Sequence, residues 1–212
     1  MKKTALVVFA GLCCLITTAQ VQPARYHYTE EFYFVKEITV TAWQGKNFRY
    51  EIAVQSQAAD SLSQVRIHGI AAGSGKDDFI NSRYTVESRQ EQDWTIYTVI
   101  GSVQPNAKRL WFYAAVNGNG KFYFDDVSFY IEEQKGHWKQ LQLSNPSFEE
   151  SKADIFSGYY VNNRRSSTVQ TSLNREVVKT GKQSLMVQTF NATPVANPGF
   201  NRDLTKYQDE KK

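Results

Sequence analysis

Residues 109–131 constrain this chain more than any other stretch. Two runs rich in aromatic and branched residues, 109–116 and 121–131, flank the tetrapeptide Asn117-Gly118-Asn119-Gly120. Asn and Gly accept the positive φ of a tight turn, so the pattern predicts a β-hairpin. With the turn at 117–120, Leu110, Phe112, Ala114 and Val116 share a face with Tyr123, Asp125, Val127, Phe129 and Ile131. The opposite face carries Trp111, Tyr113, Ala115, Phe122, Phe124 and Tyr130. A sheet with one solvated side alternates apolar and polar residues. Here both sides are apolar, so the second must be covered by protein, a partner or a ligand.

The same period of two runs through residues 31–131. Phe32, Phe34, Ile38 and Val40 alternate with Tyr33, Glu37, Thr39 and Thr41 as far as Trp43. Phe48, Tyr50, Ile52 and Val54 alternate with Arg49, Glu51 and Gln55, the pattern of a half-buried strand. Further strands are expected at 65–72, 83–87 and 94–103, separated by Gly-, Pro- and Asn-containing turns. No helical period is sustained. Twelve Tyr and thirteen Phe suit strands. Short strands at this spacing predict an all-β sandwich or barrel. Residues 132–139 read as a polar joint. A second block, 141–190, holds strands near 167–172 and 184–190 and is too small to fold comfortably alone. Residues 191–212 read as an irregular tail.

Residues 1–19 read as a secretory signal. Lys2 and Lys3 precede an apolar core over 5–16, and Thr17-Thr18-Ala19 supplies the small residues of a cleavage site near Ala19. The apolar run is too short for a membrane span. The expected destination is secreted, periplasmic or cell-surface. Both cysteines, Cys13 and Cys14, leave with the leader, so the mature chain has neither disulfide nor thiolate. The net charge of +4 falls by two with Lys2 and Lys3, too weak a balance for a nucleic-acid partner.

The order of several short motifs supports a resemblance. Gly45-Lys46, Gln92-Asp93-Trp94-Thr95-Ile96-Tyr97, Leu110-Trp111-Phe112, Gly118-Asn119-Gly120 and Phe124-Asp125-Asp126-Val127-Ser128 follow one another. Together they resemble the later half of CenC-type carbohydrate-binding modules. Asn145…Phe148-Glu149 and Gly181-Lys182-Gln183-Ser184-Leu185 resemble the opening half of such a module. The halves stand in reverse order. One permuted sandwich, an incomplete second copy, or the front of a longer secreted protein all account for that. Similar regions precede the catalytic domains of secreted Bacteroidetes hydrolases, esterase-like and peptidase-like. The resemblance implies a galactose-binding-like jelly roll, a carbohydrate partner and a neighbouring catalytic domain. It also implies a structural calcium held by Asp125 and Glu149; calcium needs six to eight oxygens, so two acids are only part of a site. The competing reading is that Asp125 caps backbone amides in the hairpin, or that the register is one residue off and it is exposed.

Trp111, Tyr113 and Tyr123 are the candidate carbohydrate-binding residues, because flat aromatic faces stack on the C–H faces of pyranose rings. Trp43 and Trp138 compete for that role, while Trp94, opening a strand, is expected in the core. No catalytic residue is assigned. His27, His68 and His137 lack metal-ligand spacing. No Gly-x-Ser-x-Gly elbow occurs. Gly73-Ser74-Gly75-Lys76 lacks the hydroxyl residue and helix of a phosphate loop. The expectation is a non-catalytic carbohydrate-binding or accessory module. The alternatives are a structural or protein-interaction sandwich, and the N-terminal fragment of a secreted hydrolase.

Overall fold

A computed structural model describes residues 25–28, 31–73, 79–80, 84–150, 154–162 and 167–197. The signal-sequence expectation, and most of the Gly73–Lys76 stretch, lie outside these. Tyr26–Ala196 forms one compact unit; of the remainder, Met1–Arg25 and Asn197–Lys212, only Arg25 and Asn197 are described.

Among the described residues fourteen strands run in chain order: β1 (Arg25–Tyr28), β2 (Glu31–Thr39), β3 (Asn47–Ala58), β4 (Gln64–Ala72), β5 (Phe79–Ile80), β6 (Thr85–Glu91), β7 (Trp94–Ser102), β8 (Arg109–Asn117), β9 (Gly120–Gln134), β10 (His137–Leu141), β11 (Tyr160–Val161), β12 (Val169–Asn174), β13 (Ser184–Thr189) and β14 (Pro194–Asn197). Among the described residues the only helix is a 3-10 turn at Thr41–Trp43, where strand was expected to continue. No helix there is long and apolar enough to cross a membrane. One sheet has the order β11-β2-β8-β4-β5 and the other β12-β13-β9-β3-β7-β6, with β10 also on β9. The two antiparallel sheets pack face to face as a β-sandwich.

The apolar inner faces explain the packing. Tyr50 stacks on Phe112 with ring centroids 4.1 Å apart, and Phe34 meets Phe124 edge-on at 5.0 Å. Each pair joins one strand from each sheet, so the aromatics that favour strands also weld the two layers. Residues 141–190 contribute to the same core. Phe148, Phe156, Tyr159, Leu185 and Val187 are buried within it, β11 extends one sheet, and β12 with β13 extends the other.

Four expectations need correction. The turn at 117–120 exists, but β8 and β9 do not pair; they lie in different sheets. The turn is an arch that carries the chain across the core. Two strands with apolar inner positions bury more surface face to face than edge to edge, and Phe112 and Phe129 meet at 5.8 Å. The arch is tight: a Cβ on Gly118 would stand 2.8 Å from the Ser63 Cα, and one on Gly120 would stand 2.6 Å from the Gln57 carbonyl oxygen.

The face assignment of β9 also changes. The β3–β9 register shifts between Glu51 and Ala53, and Asp126 takes φ 52°. This bulge inserts a residue and reverses the alternation. Phe122 and Phe124 therefore face the core together with Val127, Phe129 and Ile131, while Tyr123 and Asp125 point the other way. The joint at 132–139 is a β-hairpin turning at Lys135-Gly136, with Gly136 at φ 81°. The tail is not wholly irregular, since Pro194–Asn197 pairs with β1.

Candidate functional site

Both outer faces of the sandwich needed cover, and the two sheets solve this differently. On the larger sheet, Ala53, Trp94, Ile96 and Tyr123 form a second small core, closed by Val177 and Met186. The loop over 175–183 is the cover. Asp125 Oδ2 accepts the amides of Lys179 and Thr180 at 2.9 and 3.1 Å, and Oδ1 accepts that of Asp126 at 2.7 Å. Glu149 Oε1 accepts the amides of Lys182 and Gln183 at 2.6 and 3.0 Å. Gln183 in turn donates to the Phe148 carbonyl at 2.8 Å. The Phe148-Glu149 and Gly181-Lys182-Gln183 motifs, distant in sequence, are thus two sides of one clamp.

Asp125 caps amides, as one reading of the sequence had it. Burial pushes its carboxyl up to about 6, against the pull of the three amides. This donor set does not fit calcium. The carboxylate oxygens meet N–H groups, which repel a cation, and no cluster of three or more acidic, His or Cys side chains stands ready among the described residues.

The smaller sheet leaves its outer face as a groove of about 330 Å³. That volume lies at the small end of ligand pockets, which span roughly 300–1,000 Å³. Its elements are three neighbouring strands. β8 supplies Arg109, Trp111 and Tyr113, β2 supplies Tyr33, Val35 and Glu37, and β11 with the next residue supplies Tyr160, Val161 and Asn162. Period-two alternation puts Trp111 and Tyr113 on one face while Leu110, Phe112 and Ala114 are buried on the other. Register then sets Glu37 opposite Trp111 and Val35 opposite Tyr113.

Polar contacts fix the aromatic rings. Trp111 Nε1 donates to Glu37 Oε2 at 2.6 Å, and Arg109 Nη1 reaches the same oxygen at 3.4 Å. The Arg109 guanidinium also lies over the indole, 5.3 Å from its centroid. Tyr113 is tilted against Tyr33 at 5.5 Å and is stacked on His68 at 4.6 Å and 7°. Val35 is the apolar floor, and Tyr160, 62% exposed, forms a wall. Asn162 ties the β11 side down by accepting the Tyr33 amide at 2.9 Å.

Trp111 and Tyr113 therefore sit together, half-buried, in a groove. Tyr123 does not join them; it is 4% exposed in the second core of the other sheet, because the bulge turns it toward the covering loop. Trp94 is in that core too, as expected. Tyr33, Glu37, Arg109 and Tyr160 were not singled out from sequence. The alternation of β2 marks Tyr33 and Glu37 as outward, but only the cross-strand register shows that they face Trp111. Comparisons with protein families, with curated proteins and with solved structures return no match to this chain.

Proposed function

We propose that this is a secreted, non-catalytic carbohydrate-binding module of the jelly-roll, galactose-binding-like kind, with the Trp111 groove as its binding site. One observation carries the reading. Trp111 and Tyr113, chosen from sequence as a stacking platform, line one groove over an apolar floor, with a carboxylate and a guanidinium at its edge. Pyranose recognition needs that combination: a flat apolar surface for C–H faces, and fixed polar groups for hydroxyls. The leader-like residues 1–19 support export, and a neighbouring catalytic domain is the natural beneficiary of such a module. Glu37 is the sole carboxylate on the groove's described lining, and it is already tied to Trp111 and Arg109. Glycoside hydrolysis uses two carboxyl groups across the bond, so binding fits the site better than cleavage.

The test is affinity electrophoresis and titration calorimetry against neutral polysaccharides: xyloglucan, mixed-linkage β-glucan and galactomannan. The unaltered chain is expected to bind at least one, and Trp111→Ala to lose about 2 kcal/mol, roughly thirtyfold, as buried Trp anchors do. A folded Trp111→Ala protein with full affinity would remove the reading.

A further inference from the structure

The larger sheet carries an uncovered region of its own, beyond the reach of the 175–183 loop. Its outer face near β10 holds a groove of about 610 Å³ lined by Trp138, Asn47, Ser102, Gln104, Thr85 and Ile100. Trp138 is half-buried at the end of this face. It is held by Arg49, whose guanidinium lies 4.4 Å from the Tyr130 ring and 5.2 Å from the Trp138 ring. Arg49 Nε makes no hydrogen bond but lies 3.7 Å from Glu51 Oε1, so an ion pair and the two aromatic faces together orient the guanidinium. Beside Trp138 runs a chain of polar side chains across three strands. Ser102 Oγ donates to Asn47 Oδ1 at 2.6 Å, and Asn47 Nδ2 donates to Glu132 Oε2 at 2.6 Å. Glu132 is fixed in turn by accepting the Gly136 amide at 2.7 Å.

We infer that this groove is a second carbohydrate site, in which the Trp138 indole stacks on a pyranose ring and the Asn47 and Ser102 side chains, held in place from behind by Glu132, meet its hydroxyls. Asn47 and Ser102 keep capacity beyond these bonds, since the Ser102 Oγ can still accept and the Asn47 amide retains a second N–H and an acceptor lone pair. Asn47, Ser102, Gln104 and Thr85 are uncharged, so the favoured ligand is a neutral glycan. The ligand class rests on the carbohydrate reading of the Trp111 groove, but the site shares no residue with it. The two grooves lie on opposite outer faces of the sandwich, so one molecule can hold two chains of a polysaccharide. Linked sites gain avidity without new contacts.

The experiment uses the unaltered chain, Trp111→Ala, Trp138→Ala and the double variant, with the same three neutral polysaccharides as probes. Circular dichroism and melting confirm folding, and Asn47→Ala, at an exposed position, repeats the test without touching the indole. Each single Trp variant is expected to keep weakened retardation, and the double variant none. Light scattering is expected to rise when the unaltered chain meets high-mass polysaccharide, and not with either single variant. If Trp111→Ala abolishes binding and Trp138→Ala changes nothing, the second site is overturned while the Trp111 reading stands. If the unaltered chain binds no probe, both fall. If it is a dimer in sedimentation and Trp138→Ala is a monomer, the face seats a second copy and the inference is overturned.

Discussion

Trp111 and Glu37 stand opposite one another on adjacent strands, and the indole Nε1–H donates to the Glu37 carboxylate at 2.6 Å. The bond does more than satisfy a donor. It fixes the ring of a half-buried aromatic side chain, and ordering before binding spares the ligand that entropy. Glu37→Ala is expected to weaken polysaccharide binding about fivefold, or roughly 1 kcal/mol, with little change in melting because the ion pair with Arg109 is partly exposed. Glu37→Gln keeps an acceptor in place and is expected to stay within about twofold of the unaltered chain. Calorimetric titration of both variants decides the matter: equal losses would show that charge, and not ring orientation, is what counts.

Glycine positions separate backbone strain from crowding. Gly45 and Gly181 have nearly the same φ, 77° and 75°. A Cβ on Gly45 meets nothing within 4 Å, whereas one on Gly181 would stand 2.4 Å from Glu149 Oε1. Glu149 cannot easily retreat, since that oxygen holds two amides. Gly45→Ala is expected to cost about 1 kcal/mol, the left-handed penalty alone. Gly181→Ala is expected to cost about 3 kcal/mol, because the clamp on the 175–183 loop must open as well. Urea denaturation of the two variants checks the difference.

Lys36 is a charged side chain on the inner face of β2, only 2% exposed. Its Nζ donates to the Ser144 carbonyl, to Ser144 Oγ at 3.1 Å and to the Gly158 carbonyl at 3.1 Å, and lies 4.2 Å from the Tyr159 ring centroid. Burial lowers its pKa from 10.5 to about 8, with Glu150 pulling the other way. Between those values the unfolded chain binds more protons than the folded one. Stability attributable to this group therefore rises with pH from about 8 upward. Relative to Lys36→Met, the unaltered chain is expected to gain stability between about pH 8 and 9.5, a window below the titration of Tyr50 and Tyr159, whose hydroxyls burial pushes up. Parallel denaturation curves for the two proteins across that window would refute the assignment.

Local pattern carried most of the architecture. The alternation at Phe48, Tyr50, Ile52 and Val54 is the inner face of β3, and the doubly apolar run at 109–116 is β8, whose outer face lines the groove. Three features were illegible for physical reasons. Turn chemistry at Asn117–Gly120 specifies a reversal, but pairing partners depend on which distant strands compete for each edge; β2 and β4 take both edges of β8. A bulge costs one inserted residue and leaves no compositional mark, so the parity of Tyr123 and Asp125 could not be read past Asp126. Glu37 joins the candidate site through register with Trp111, a relationship between strands far apart in sequence.

Asp125 offers the last prediction, and it combines packing with protonation. Its carboxyl is fully buried beneath the 175–183 loop and accepts three amides. Asp125→Ala leaves those N–H groups without an acceptor and is expected to cost about 3 kcal/mol, lowering Tm by roughly 10 °C for a domain of this size. Because burial raises the folded-state pKa from 3.8 to about 6, the folded chain binds the extra proton between those values. The stability linked to that proton is full below about pH 4 and is lost as pH climbs through 6. Asp125→Asn cannot titrate, so the unaltered chain is expected to lose ground against it from about pH 4 to 7. Amide N–H donors satisfy the Asp125 carboxylate here, so chelator or added calcium is expected to leave Tm unmoved in either protein. A calcium-dependent rise in Tm that disappears in Asp125→Asn would overturn that account of the clamp.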